Sequence, residues 1–189
     1  MPSAFRRPDS VCVYCGSSNL VDPRHLVDAE SFGKDLAANG MRLVYGGGGV
    51  GLMGAVARAA HDAGGRVLGI MPEFLRSREI LYDEVETIIV PNMHERKMIM
   101  FQESDAFVVL PGGIGTLEEI VELLSWRRLD LHAKPVVFAN IDGFWDPLFE
   151  LFEHTIEAKF TPANFREAWV SVDSIEKVMP ALTDPAAAA

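Results

Sequence analysis

DAFVVLPGGIGTLEEIVELL, residues 105–124, runs an apolar strand through three glycines into a helix whose first turns carry two glutamates. Glycine strips side chains from such a turn, so the backbone N–H groups at the helix start can point at a ligand, and that arrangement suits an anion. A carboxylate one turn further on sits awkwardly beside an anion unless it works on a neutral part of the same molecule. Helical spacing separates the two glutamates. Leu117, Ile120, Val121 and Leu124 form an i, i+3, i+4, i+7 stripe that predicts the sheet-facing side. Glu119 then points away from the sheet, one turn from Gly115 and Thr116, while Glu118 projects to the other flank. A turn rises about 5.4 Å, close to the span of a ribose, so a phosphate at the helix start would leave the far carbon of its sugar near Glu119. Glu119 shares its flank with Leu123 and Trp126, which predicts a cover for that side, and a second subunit is the expected one.

The same strand–loop–helix rhythm fills the chain. Apolar runs rich in Val and Ile stand at 10–15, 41–45, 66–70, 86–90, 105–110, 134–139 and 168–172. Helical patterns fall near 22–39, 50–63, 92–103, 115–130, 144–158 and 173–182. Near-continuous apolar strands separated by helices predict an α/β fold, a Rossmann-like doubly wound parallel sheet with helices on both faces. One domain over 10–183 is expected, with 1–9 and 184–189 as loose termini. In such folds the ligand lies beyond the carboxyl ends of the strands, which directs attention to the loops after strands one, two, four and five.

Composition narrows the partners. The net charge is −10, which opposes nucleic acid and anionic membrane as partners but not a small phosphate. No stretch resembles a signal peptide or a membrane span, so a cytoplasmic protein is expected. Cys12 and Cys15 make a C-x-x-C, yet both lie in an apolar strand without a second pair, and an i, i+3 spacing sends them to opposite faces. The five histidines are scattered, so no metal is expected.

Three further loops bear on a ligand. YCGSSN (14–19) offers the hydroxyls of Ser17 and Ser18. YGGGGVGLMG (45–54) contains G-x-G-x-x-G twice, from Gly46 and from Gly49, but after the second strand rather than the first, where the dinucleotide fingerprint belongs. NMHERK (92–97) opens a helix with Asn92 as cap and Glu95 three residues on. That leaves Arg96 and Lys97 one turn inside, where cations are disfavoured unless an anion or carboxylate holds them.

MHERK followed by PGGIGTLEE resembles the Lonely Guy (LOG) family, the cytokinin riboside 5′-monophosphate phosphoribohydrolases, whose signature is P-G-G-x-G-T-x-x-E. The likeness extends from CVYCGSS through GIMPEFL to the helix after KPVVF. It implies Arg96 and Glu119 as the catalytic pair, and Gly112, Gly113, Gly115 and Thr116 as the phosphate site. Lys97 and Glu79 would join the substrate pocket, with Ser17, Ser18, Gly47 and Gly48 along its other wall. The chain departs from the pattern at 46–49, where family members commonly place a Ser or Thr among the glycines. The implied reaction is hydrolysis of the N-glycosidic bond of an adenosine 5′-monophosphate, often N6-prenylated, to free base (a cytokinin) and ribose 5-phosphate, without a cofactor and in a homodimer. Arg96 would keep Glu119 ionised, since a neighbouring cation lowers a carboxyl pKa. Members have carried a lysine decarboxylase label, for which no pyridoxal phosphate lysine is evident. Three other readings stand beside this one: a broad purine 5′-monophosphate nucleosidase, a non-catalytic nucleotide-binding module, and a nicotinamide oxidoreductase using the 46–51 glycines with Glu73 on a ribose.

Overall fold

The computed structural model describes residues 6–184; residues 1–5 and 185–189, read above as parts of the loose termini, lie outside it. Seven parallel strands form one sheet in the order β4-β3-β2-β1-β5-β6-β7. They are β1 (Ser10–Tyr14), β2 (Arg42–Tyr45), β3 (Val67–Pro72), β4 (Glu86–Val90), β5 (Ala106–Val109), β6 (Val136–Ala139) and β7 (Val170–Val172). The central strands are apolar on both faces because both faces are covered; β1 and β5 are buried at every position.

The helices are α1 (Pro23–Ala38), α2 (Gly51–Asp62), α3 (Met93–Gln102), α4 (Ile114–Arg128), α5 (Asp146–Glu157) and α6 (Val178–Thr183). One apolar cluster joins α1, α2 and α6 to the first face through residues such as Phe32, Val56 and Val178. A second joins α3, α4 and α5 to the other face through Met100, Ile120 and Ile156. Cys12 belongs to the second cluster and Cys15 to the first, on opposite faces of the sheet, and both are free thiols. Helix starts follow local chemistry. Asp22 accepts from the Arg24 N–H ahead of Pro23, and Asn92 accepts from the Glu95 N–H at 2.9 Å. Where a helix was expected over 173–182, a 3₁₀ turn at Ile175–Lys177 precedes the short α6.

Residues 6–9 run into β1 with the Asp9 N–H on the Asp105 carboxylate at 2.9 Å and the Asp9 carbonyl accepting from Arg42. Among the described residues no helix is long and apolar enough to cross a membrane.

Strand order reverses at β1, whose neighbours are β2 and β5, so the connections leaving β1 and β5 diverge and open a crevice at the carboxyl edge.

Candidate active site

The crevice is a cavity of about 450 Å³, within the range of pockets that hold small ligands. Its floor is Pro111–Thr116, the turn from β5 into α4. No side chain caps α4: its N-cap is Gly113, in extended backbone, so the first N–H groups of the helix are left for a ligand. A Cβ added at Gly113 or Gly115 would meet nothing within 4 Å, which marks open space at the helix start. Gly112 differs, since a Cβ there would fall 2.1 Å from the Thr116 hydroxyl oxygen.

The other glycine-rich turn is already occupied. The Gly51 N–H donates to the Asn19 side chain at 2.8 Å, and the Gly49 N–H to the Ile80 carbonyl at 2.7 Å. A Cβ added at Gly51, which is in left-handed backbone, would lie 2.5 Å from the Ser17 carbonyl carbon, so this turn packs directly on the loop after β1. Gly47 presses on Met71, Gly48 on Met53 and Glu79; neither lines the cavity, contrary to expectation, because the chain itself fills the space in front of them. Gly46 has a separate reason to be glycine: a Cβ would lie 2.1 Å from an Arg96 nitrogen.

Arg96 is buried, at 4% exposure, and its guanidinium is held on several sides. Nε donates to the Ile70 carbonyl at 3.2 Å; Nη2 donates to the Gly46 carbonyl at 2.8 Å and to Glu79 Oε2 at 3.2 Å. Its ion-pair partner is therefore Glu79, carried by the connection after β3, and not Glu119. Glu119 lines the same cavity without a side-chain hydrogen bond to the described residues. Burial pushes its carboxyl up to about 7, Arg96 pulls it down, and Glu118 and Glu79 push it further up. Arg96 thus acts on Glu119 in the expected direction, toward the ionised form, but does not bring the carboxyl back to its ordinary range. Desolvation outweighs a cation whose charge is already shared with Glu79.

The family model described as "possible lysine decarboxylase" matches residues 53–182. A probable cytokinin riboside 5′-monophosphate phosphoribohydrolase of Oryza sativa subsp. japonica is 46% identical over 170 residues, 89% of this chain and 74% of that protein. A cytokinin riboside 5′-monophosphate phosphoribohydrolase of Arabidopsis thaliana is 40% identical over 183 residues, 96% of this chain and 84% of that protein. This chain belongs to the LOG family. Among solved structures, the molybdenum cofactor carrier protein of Chlamydomonas reinhardtii superposes with a TM-score of 0.70 at 24% identity, covering 94% of this chain and 96% of that one, a likeness of fold.

In this LOG chain the signature P-G-G-x-G-T-x-x-E occupies 111–119, so one strand–turn–helix carries both the open helix start and the cavity carboxylate. Ser17, Ser18, His25, Glu79 and Arg96 add to the polar lining. Lys97 stands outside it: its ammonium pairs with Glu118 and, at 2.7 Å, with Glu122, tying α3 to α4. A strong local carboxylate pair on the next helix draws it away from the cavity. The predicted stripe of α4 also shifts. Thr116, Ile120, Leu123 and Leu124 are buried and Val121 is 45% exposed. This phase puts Glu119 at the edge of the buried stripe and Leu123 in the chain's own core, while Trp126 stands edge-on to Phe101 at 5.3 Å. The flank that suggested a second subunit is covered from within.

Sequence reasoning missed Val21, His25, Leu52, Met53 and Phe144, which also line the cavity. Val21 and His25 follow the YCGSSN loop, and Phe144 follows β6; an aromatic just past a strand's carboxyl end was the available signal.

Proposed function

We propose that this chain is a phosphoribohydrolase that cleaves the N-glycosidic bond of N6-substituted adenosine 5′-monophosphates, releasing an adenine-type base and ribose 5-phosphate. The observation that carries the reading is the pairing, within one cavity, of unclaimed N–H groups at the α4 start with the unpartnered Glu119 carboxylate one turn along. The activity for which the relatives are named supports the same reaction. Phosphate at Gly113, Gly115 and Thr116 fixes the ribose with its anomeric carbon toward Glu119. As the bond breaks the sugar becomes oxocarbenium-like and the base leaves with the bonding electron pair; water then adds, its hydroxyl to the anomeric carbon and its proton to the base. The ionised Glu119 stabilises that positive charge. Arg96, anchored by Glu79 and two carbonyls, shapes the field around it. Remote binding of the phosphate contributes to transition-state stabilisation, so the unphosphorylated riboside is a poor substrate.

A decarboxylase acting through pyridoxal phosphate needs a lysine amine facing its cavity, and the lining residues include none. We extend the proposal to residues 10–183 acting as one hydrolase domain, to a cytoplasmic setting that suits two buried free thiols, and to a homodimer. In support of the dimer, the exposed Val121 on α4 and the exposed Ile88 and Ile89 on the edge strand β4 offer apolar surface to a second copy.

The test is chromatography of base released from AMP and from isopentenyladenosine 5′-monophosphate by the wild type and by Glu119→Gln. Release by the wild type, lowered at least about 10²-fold in the variant, is expected. Tight nucleotide binding without release from either substrate would leave a binding module only. Equal rates on the two substrates would favour a broader purine 5′-monophosphate nucleosidase.

A further inference from the structure

The cavity has a second end that the signature motifs do not account for. In the sheet, β1 and β6 flank β5. His25 sits in the first turn of α1, which follows β1, and Phe144 follows β6. Their rings meet edge to face, 6.0 Å between centroids, and both line the cavity. Two connections from either side of β5 therefore close together beside the turn that leaves β5, where the open start of α4 lies. Arg96 and Glu79 come from the other wing of the sheet, and the Arg96 guanidinium is committed to Gly46, Ile70 and Glu79.

The two ring nitrogens of His25 differ. Nδ1 is sealed from solvent and has no hydrogen-bond partner. Nε2 is not among the buried unpartnered atoms and makes no hydrogen bond within the described residues. A buried N–H donor without an acceptor is costlier than a bare acceptor, so the neutral ring carries its proton on Nε2; a charged ring carries one there too. In either state His25 offers an Nε2–H donor that no group among the described residues takes up.

We infer that His25 is a specificity-determining residue that donates from Nε2 to the substrate's phosphoryl group beside the α4 N–H groups, with Phe144 bracing the ring. The inference rests on the phosphate site of the proposed function and extends it to a side chain from the first turn of α1. It identifies the ligand group as a phosphate monoester, shared by AMP and ribose 5-phosphate, and assigns His25 no contact with the base.

Calorimetric affinities for AMP and for ribose 5-phosphate test this, measured in Glu119→Gln protein, in which AMP is turned over too slowly to interfere, with His25 intact, His25→Phe and His25→Gln. His25→Phe keeps an aromatic ring against Phe144 and removes the donor. Both ligands are expected to weaken by about tenfold or more, by the same factor, because a hydrogen bond to a charged group is lost. His25→Gln keeps an N–H donor and is expected to recover most of that loss. Weakening of AMP alone would move His25 to the base and overturn the inference, as would unchanged affinity for both. Those results would leave the phosphoribohydrolase reading intact. Failure of the protein with His25 intact to bind either ligand would overturn both.

Discussion

At the scale of single residues, Glu119 combines a function with a cost. Its carboxyl, raised from an ordinary 4.5 to about 7, is held neutral by the folded chain over a pH range in which the unfolded chain ionises it. Folding stability contributed by this group is fully present below about pH 4.5 and is lost as pH rises through about 7, because ionising it in the folded state means charging a desolvated site. Glu119→Gln, a neutral isostere, is therefore expected to stabilise the protein by about 1–3 kcal/mol at pH 8. The gain shrinks toward zero near pH 4.5. Urea unfolding at the two pH values measures it, and a gain independent of pH would contradict the assignment. Arg96 has the reverse character. It is a buried cation held through Nε and Nη2, and its removal would strand the Glu79 carboxylate and two carbonyls together.

At the scale of elements, the turn from β5 into α4 separates glycines required by the fold from glycines required by a ligand. Gly112 leaves no room for a methyl group beside Thr116, whereas Gly115 faces open space. Gly112→Ala is expected to cost about 1–3 kcal/mol of stability through overpacking. Gly115→Ala is expected to leave stability unchanged or raise it by up to about 1 kcal/mol, since alanine is the better helix former. The methyl would occupy ligand space, and KM for AMP is expected to rise about tenfold or more. Thermal unfolding beside steady-state kinetics on both variants separates the effects; matching losses in stability and KM for both would show that the distinction fails. The α2 turn, with more glycines, lacks this capacity because Asn19 and Ile80 accept from the N–H groups of Gly51 and Gly49.

At the scale of the molecule, the sheet's strand order gathers connections from both wings onto one cavity, and the edge strand β4 exposes Ile88 and Ile89 at 36% and 41%. Sedimentation equilibrium is expected to give twice the chain mass of 20.8 kDa, and Val121→Arg is expected to shift the population toward monomer. A monomeric wild type would remove the dimer, and an undisturbed Val121→Arg dimer would place its interface elsewhere.

Sequence alone determined the elements: near-continuous apolar runs, period-3.6 patterning and glycine punctuation are local, and all seven strands and the six helices fall where those patterns lie. It also determined that the P-G-G-x-G-T-x-x-E run joins an open helix start to a carboxylate, because strand, turn and helix are contiguous there. Only the tertiary structure decided the rest. The α4 sequence permits a buried stripe through Val121 or through Leu123, and packing on the sheet chose Leu123, bringing Glu119 to the cavity edge. Arg96 pairs with Glu79 across a sequence separation of 17, and His25 meets Phe144 from opposite sides of β5. Such partners are set by strand order, and desolvation at a crevice is set by everything packed around it; neither is written in local spacing.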